Sequence, residues 1–286
     1  MENTNLNNKV CLITGANSGI GKATARKLAD MGAYVIMLCR NEERADAARQ
    51  DIIEQTGNAG VELLIADLAL QHDIRQAAEN FTNRFDQLDI LINNAGMIGS
   101  ERTLTAERIE LTFAVNHLAP FLLTNLLMES LIAAESARVV TVSSEAHRTA
   151  TSAFDLKNLQ LEVGFSPMKA YGVTKLCNIM FTRELAKRTR GTGITANALH
   201  PGMVRTNLTS EAGWLMYLLF TIGKPFMKSP DSGAETPVYL ATSEEVEEVT
   251  GKYFKNKKQV TPAPITRRDE ITEQLWKISS EFTGLD

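Results

Sequence analysis

Tyr171 and Lys175 stand four residues apart in a stretch, Ala170 to Lys187, whose apolar residues recur at helical spacing. On a helix that spacing puts a phenol and an ammonium side by side on one face. A tyrosine ordinarily loses its proton near pH ~10, and a neighbouring cation favours the phenolate and lowers that value. The expectation is a pair able to exchange a proton at neutral pH. Spacing alone does not separate this from an ordinary helical pair, because Tyr-x-x-x-Lys arises by chance in many helices. Something else in the chain has to supply a partner for that proton.

A second stretch offers one. Thr14-Gly15-Ala16-Asn17-Ser18-Gly19-Ile20-Gly21 closes the first apolar run and opens a helical pattern. Glycines there let the backbone turn sharply and approach a pyrophosphate, and a helix N-terminus adds free N–H groups and a positive dipole end. The bland alternative is a tight strand-to-helix turn without a ligand. The next apolar run ends Leu38-Cys39-Arg40. An acidic side chain at that point would bond ribose hydroxyls and repel a 2′-phosphate. Arg40 instead suits a bidentate, charge-assisted phosphate contact, unless it is only a solvated residue leading into the following helix.

The elements that must hold these groups alternate along the chain. Strand-length apolar runs at Lys9–Thr14, Tyr34–Cys39, Val61–Ala66, Leu88–Ile92, Ala137–Ser143 and Gly193–Leu199 are interleaved with helical patterns at Gly19–Met31, Glu42–Gln55 and Gln71–Phe85. Continuous apolar strands between helices predict a parallel sheet covered on both faces, a doubly wound α/β fold. No linker, composition break or repeat divides the 286 residues, so a single domain is expected.

Composition narrows the classes. Apolar content of 44 % with 22 % charged residues supports a sizeable core. A net charge of −4 without a Lys/Arg block argues against nucleic acid as partner. Cys11, Cys39 and Cys177 lack paired spacing and read as reduced thiols, and no metal-ligand spacing is found. The polar start, Met1 to Asn5, has no signal-peptide layout, and the longest apolar run, Trp214 to Ile222, is too short to span a bilayer. A cytoplasmic protein without stable membrane insertion is the expectation.

The spacing Gly-x-x-x-Gly-x-Gly, with Tyr171 and Lys175 downstream, resembles the short-chain dehydrogenase/reductase family of the classical type. The resemblance covers nearly the whole chain in order, through Asp67-Leu68, Asn93-Asn94-Ala95-Gly96, Asn116, Ser143-Ser144, Pro201-Gly202 and Thr206. It implies one Rossmann domain over residues 1–286 with about seven strands. It also implies a nicotinamide cofactor held by Gly15, Asn17, Ser18, Gly19, Ile20, Gly21, Arg40, Asp67, Leu68, Asn94, Ala95, Gly96, Tyr171, Lys175, Pro201, Gly202 and Thr206. With Cys39 where NAD-preferring relatives usually carry Asp, and Arg40 beside it, the cofactor expected is NADP(H). By the same resemblance Asp67 meets the adenine amino group and Asn94 the ribose region.

The catalytic set implied is Asn116, Ser144, Tyr171 and Lys175: Tyr171 trades the proton, Lys175 lowers its pKa and binds the nicotinamide ribose, and Ser144 donates to the substrate oxygen. Ser143 is the second choice and reads as structural. Pro120 lies four residues after Asn116 inside an apparently continuous helix and cannot donate back to the Asn116 carbonyl. The family uses that carbonyl to hold a relay water; a plain proline kink is the alternative. His147 and His200 fall near strand ends on the cofactor side, where either could line the pocket, and His117 should face away from Asn116.

Between Thr206 and Asp231 runs Trp214-Leu-Met-Tyr-Leu-Leu-Phe-Thr-Ile222 and then Pro225-Phe226-Met227. An apolar substrate lid at about residues 206–230 fits a small hydrophobic carbonyl or alcohol substrate. A buried helix, a subunit contact or a membrane-surface contact are the alternatives. Cys39-Arg40, Phe181 to Lys187, Gly251 to Phe254, Leu275-Trp276 and Thr283 to Leu285 resemble the retinol dehydrogenase-like branch. Many animal members of that branch carry an N-terminal membrane anchor that this sequence does not show, so a broader aldehyde, ketone or lipid carbonyl reductase is the reading adopted. The competing class is a catalytically silent nucleotide-sensing or interaction protein on the same fold. Family resemblance further implies a homodimer or homotetramer.

Overall fold

In a computed structural model, which describes residues 5–204 and 227–285, eight strands form one sheet. They are β1 (Val10–Thr14), β2 (Tyr34–Cys39), β3 (Val61–Ile65), β4 (Ile90–Asn93), β5 (Arg138–Val142), β6 (Thr195–His200), β7 (Lys252–Lys255) and β8 (Lys258–Gln259). Their order is β3-β2-β1-β4-β5-β6-β7-β8, parallel except for the β7–β8 pair. The order reverses direction between β1 and β4, whose loops therefore diverge and open a crevice at the carboxyl ends of the strands.

The strands are apolar throughout because each feeds two cores. Cys11, Ile13, Val35, Met37, Ile90 and Ile92 pack on one face with α1 (Gly19–Asp30), α2 (Glu42–Thr56) and the helix Glu235–Thr242. The intervening Leu12, Ile36, Leu38 and Leu91 face the other side, against α3 (Gln71–Thr82), α5 (Ala119–Leu126) and α7 (Pro167–Arg188). A period of two in side-chain direction divides one hydrophobic run between two layers of helices. Burial of each such side chain stabilises the fold by about 1.5–3 kcal/mol.

Helix ends follow their local chemistry. Asn41 caps α2 by accepting the Arg44 N–H at 2.8 Å, and Glu42 and Glu43 sit in its first turn. Ser166 and Pro167 open α7 in the same manner. The C-terminal helix Asp269–Thr283 lies along α7, where Trp276 stacks on Phe181 at 5.8 Å and meets Phe121 edge-on at 4.8 Å. Among the described residues no helix is long and apolar enough to cross a membrane.

Two expectations are modified. The sheet has eight strands where about seven were foreseen. The extra one is two residues long and returns through a hairpin whose Asn256 and Lys257 both hold positive φ, 51° and 61°. Asn-Lys is a weaker turn signal than Asn-Gly, although the asparagine supports the left-handed geometry. The helix around Pro120 is not continuous either. After α4 (Leu111–Phe113), residues Ala114–Leu118 form a π-turn in which the Ala119 N–H reaches back five residues to the Ala114 carbonyl. The wide turn takes up the register break beside a residue that has no N–H to give.

Candidate active site

Every strand end that the crevice touches contributes to one cleft of about 440 Å³. On one side stands the glycine turn between β1 and α1. Ser18 precedes α1 without any side-chain cap, and no acidic residue occupies the first helical turn. The leading N–H groups thus keep their electropositive character toward the cleft. Gly21 has no room for a side chain, since a Cβ would lie 2.3 Å from the Gly15 carbonyl oxygen and 2.5 Å from Asn94 Nδ2.

Asn94 holds the turn against the loop after β4. Its Nδ2 donates to the Thr14 carbonyl at 2.8 Å and the Gly15 carbonyl at 3.3 Å, while Thr14 Oγ1 accepts the N–H groups of Asn94 and Ala95, both at 2.9 Å. In the π-turn that follows α4, Asn116 is fully buried. Its Oδ1 accepts the Met97 N–H at 2.8 Å, and its Nδ2 donates to the Met97 carbonyl at 2.9 Å and to Thr174 Oγ1 at 3.1 Å. One amide side chain therefore ties the β4 loop to α7.

Tyr171 and Lys175 project from α7 toward the end of β5. Lys175 Nζ donates to the Val142 carbonyl at 2.9 Å and sits 5.5 Å from the centre of the Tyr171 ring. The Ser144 side chain stands beside the Tyr171 hydroxyl and favours its phenolate. Ser144 Oγ accepts the Ala146 N–H at 3.2 Å, which leaves its own O–H to donate into the cleft. Gly172 allows this approach, because a Cβ there would come within 2.9 Å of the Ala146 carbonyl oxygen. Ser143, by contrast, is buried and donates to the Lys175 carbonyl at 2.7 Å, a packing role.

Electrostatics correct one expectation. Lys175 was foreseen to lower the Tyr171 pKa; burial instead pushes Tyr171 up to about 12, with only the Ser144 side chain pulling the other way. Burial also brings Lys175 down to about 8. Both shifts share one cause, since a desolvated site disfavours the charged form of phenol and amine alike. At neutral pH the phenol stays protonated.

Of the residues singled out from the sequence, Gly15, Asn17, Ser18, Gly19, Ile20, Gly21, Arg40, Asp67, Leu68, Asn94, Ala95, Gly96, Ser144, Tyr171, Lys175, Pro201 and Gly202 all line this cleft. Asn116 stands behind it. Thr206, and the 206–230 lid up to residue 226, lie outside the described residues. Asp67 Oδ1 accepts the Ala69 N–H at 2.9 Å, a local turn bond. Cys39 lies in the cleft wall, where burial raises its thiol to about 11 against the opposing backbone N–H groups of Ala16 and Asn17. Among the described residues no group of three His, Cys, Asp or Glu is placed to hold a metal.

Several lining residues were not singled out beforehand. Arg44, four positions beyond Arg40 in the first turn of α2, reaches the same end of the cleft. Met97, Ile98, Met168 and Met203 surround the Tyr171 end, with Met168 and Met203 43 % and 68 % exposed. Met168 had a signal: it precedes Tyr171 by three residues on one helix and so shares its face. Of the two histidines placed near strand ends, His200 lines the cleft and His147 does not. His117 turns away from Asn116 and places Nε2 2.9 Å from Ser279 Oγ in the C-terminal helix.

A family model described as short chain dehydrogenase matches residues 9–156 and 158–213. The chain is 43 % identical over 283 residues to retinol dehydrogenase 12 of Homo sapiens, covering 99 % of this chain and 89 % of that protein. It is 41 % identical to dehydrogenase/reductase SDR family member 13 of Homo sapiens, over 98 % of this chain and 74 % of the relative. Among solved structures, a short chain dehydrogenase from Escherichia coli CFT073 complexed with NADPH superposes with a TM-score of 0.73 at 26 % identity, over 90 % of this chain and 100 % of that one.

Proposed function

The chain belongs to the short chain dehydrogenase family, and from its cleft we propose that it is an NADP(H)-dependent oxidoreductase that interconverts a small hydrophobic aldehyde or ketone and its alcohol. One observation carries the reading: the Tyr171 hydroxyl, its Ser144 partner and Lys175 meet in the wall of the same cleft that the glycine turn opens.

The residues present fit a dinucleotide. Gly21 keeps the turn free of side chain, and α1 offers an uncapped, acid-free N-terminus suited to a pyrophosphate. Arg40 and Arg44 supply positive charge at the end of β2, where a 2′-phosphate would be read. The NADPH carried by the Escherichia coli CFT073 neighbour supports the choice. Such a cofactor, when bound, supplies a hydride to a carbonyl carbon or accepts one from an alcohol.

The protein's own groups manage the oxygen. Ser144 holds its hydroxyl hydrogen toward the cleft and donates to the substrate oxygen as negative charge develops there. Tyr171, protonated at neutral pH, gives that oxygen its proton in reduction and takes one back in oxidation. Lys175, held by the Val142 carbonyl, places its charge beside the ring. Asn116 fixes the β4 loop and the helix that carries the pair. Met97, Ile98, Met168 and Met203 give the substrate end flexible apolar walls. A homodimer or homotetramer remains part of the proposal, to be read from the solution mass.

The test follows NADPH absorbance across aldehydes, ketones, steroids and retinal. Turnover of hydrophobic carbonyls is expected, and Tyr171→Phe should keep NADPH binding while losing nearly all of it. Wild-type-like rates in that variant would refute the mechanism. Failure of every carbonyl, and of the matching alcohols with NADP+, would favour the silent nucleotide-binding alternative.

A further inference from the structure

The turn Glu145–Arg148, which follows Ser144 directly, is anchored by more than its own backbone. His147 is fully buried, and both of its ring nitrogens are engaged with main chain. Nδ1 lies 2.7 Å from the Ser144 carbonyl oxygen, and Nε2 receives the Ala263 N–H at 3.1 Å. A carbonyl can only accept and an amide N–H can only donate, so a single tautomer satisfies both: hydrogen on Nδ1, a bare lone pair on Nε2. An imidazolium would set a second N–H against that of Ala263.

The same carbonyl of Ser144 also accepts the His147 backbone N–H at 3.1 Å. One residue thus grips it twice, once through the main chain and once through the ring. Ser144 Oγ meanwhile accepts the Ala146 N–H from the middle of the turn. The ring packs edge-on against Tyr253 at 5.1 Å, and the Tyr253 hydroxyl donates to Glu145 Oε1 at 3.1 Å. Glu145 completes the brace, giving its own N–H to His200 Nδ1 at 3.4 Å. The His147 ring is not part of the cleft wall, so it touches no substrate or cofactor directly.

Resting on the oxidoreductase reading above, we propose that His147 is the positioning residue for Ser144. Its Nδ1–H fixes the Ser144 main chain, and Ala263 fixes the tautomer that makes Nδ1 the donor. The segment between β8 and the C-terminal helix thereby sets the aim of the serine hydroxyl. Loss of the ring costs hydride transfer by misplacing Ser144, while the cofactor end, formed by other strands, is untouched.

His147→Leu removes both ring contacts, whereas His147→Asn restores a donor close to the Nδ1 position. With wild-type turnover in hand, His147→Leu should lower kcat about tenfold with KM and the NADPH dissociation constant within about twofold of wild type, the loss of about one hydrogen bond. His147→Asn should recover most of that loss. Equal defects in the two variants, or a defect carried by KM or NADPH affinity, would overturn the proposal. Should His147→Leu fail to fold, Ala263→Pro removes the N–H held by Nε2 and leaves the His147 ring in place, at a φ of −55° that suits proline. It should lower kcat by a smaller factor, and an unchanged kcat would count against the proposal. Nitrogen NMR of the wild-type ring should show the Nδ1–H tautomer at neutral pH, and the opposite tautomer would overturn it. A wild type active on carbonyls but indifferent to residue 147 defeats this proposal alone. A wild type inactive on all of them defeats the oxidoreductase reading and this one with it.

Discussion

Replacing Asn94 by aspartate tests how the glycine turn is held. The exchange keeps the shape and removes the two Nδ2 donations, to the Thr14 carbonyl at 2.8 Å and the Gly15 carbonyl at 3.3 Å. Asn94→Ala loses one full and one long hydrogen bond, partly replaced by water from the cleft, and should cost about 1–2 kcal/mol. Asn94→Asp goes further, because an ionised carboxylate would face two carbonyl oxygens. That arrangement raises the introduced group's pKa by about two units, worth about 2.7 kcal/mol when the group is ionised. A raised folded-state value means the penalty is absent below the unfolded value near ~4, grows as pH rises, and is complete above the folded value near ~6. Urea unfolding of wild type and both variants at about pH 4 and about pH 8 should show Asn94→Asp clearly worse than Asn94→Ala only at the higher pH. Because Asn94 Nδ2 also lies where a Cβ on Gly21 would intrude, NADPH affinity should fall in parallel. An Asn94→Asp variant no less stable than Asn94→Ala, or a deficit equal at both pH values, would refute the donor role.

The adjacent serines should separate stability from rate. Ser143→Ala, which loses the bond to the Lys175 carbonyl, should lower stability by about 1–3 kcal/mol and leave kcat within about threefold; Ser144→Ala, which loses the long cap bond from the Ala146 N–H, should lower stability by about 1 kcal/mol or less and kcat by about 10²–10³. Arg40→Asp should reduce the NADPH-over-NADH preference about 10- to 100-fold as a charged contact is lost, and an unchanged ratio would show that Arg40 does not read the phosphate. His117, buried and held neutral, has its pKa lowered from 6.5 to about 4. Its contribution to stability is therefore present above pH 6.5 and lost as pH falls toward 4. His117→Gln should unfold at lower urea at neutral pH yet show a shallower acid slope, and a slope as steep as wild type would exclude His117 as its source.

The parts of the cleft legible in the sequence are those fixed by local geometry. A glycine turn between strand and helix, and two residues four apart on a helix, keep their relation whatever surrounds them. Alternating runs likewise announced the parallel sheet, because a strand buried on both faces has to be apolar throughout. The Tyr171 shift was not legible: the sign depends on burial by α7's neighbours, opposed only by the Ser144 side chain. The π-turn escaped for a related reason, since Pro120 announces a missing donor without saying which carbonyl gives way. Met203, which follows β6, is brought to the site by strand order, which spacing along one segment does not encode.

The junction of β1 and β4 carries a kinetic consequence. The glycine turn belongs to one half of the sheet and Tyr171 to the other, and they are joined where Cys11, Leu12 and Ile13 pair with Ile90, Leu91 and Ile92. The Asn94 strut across that seam links residues 80 positions apart. Loop-closure entropy has to be met before such a pairing stabilises anything, so parallel sheets of this kind assemble slowly. The β1–β2–β3 unit can collapse earlier from nearer neighbours, but it holds no Tyr171, Ser144 or Lys175. During refolding, recovery of NADPH binding should therefore trail recovery of helical signal, making the cleft the last part of the molecule to exist.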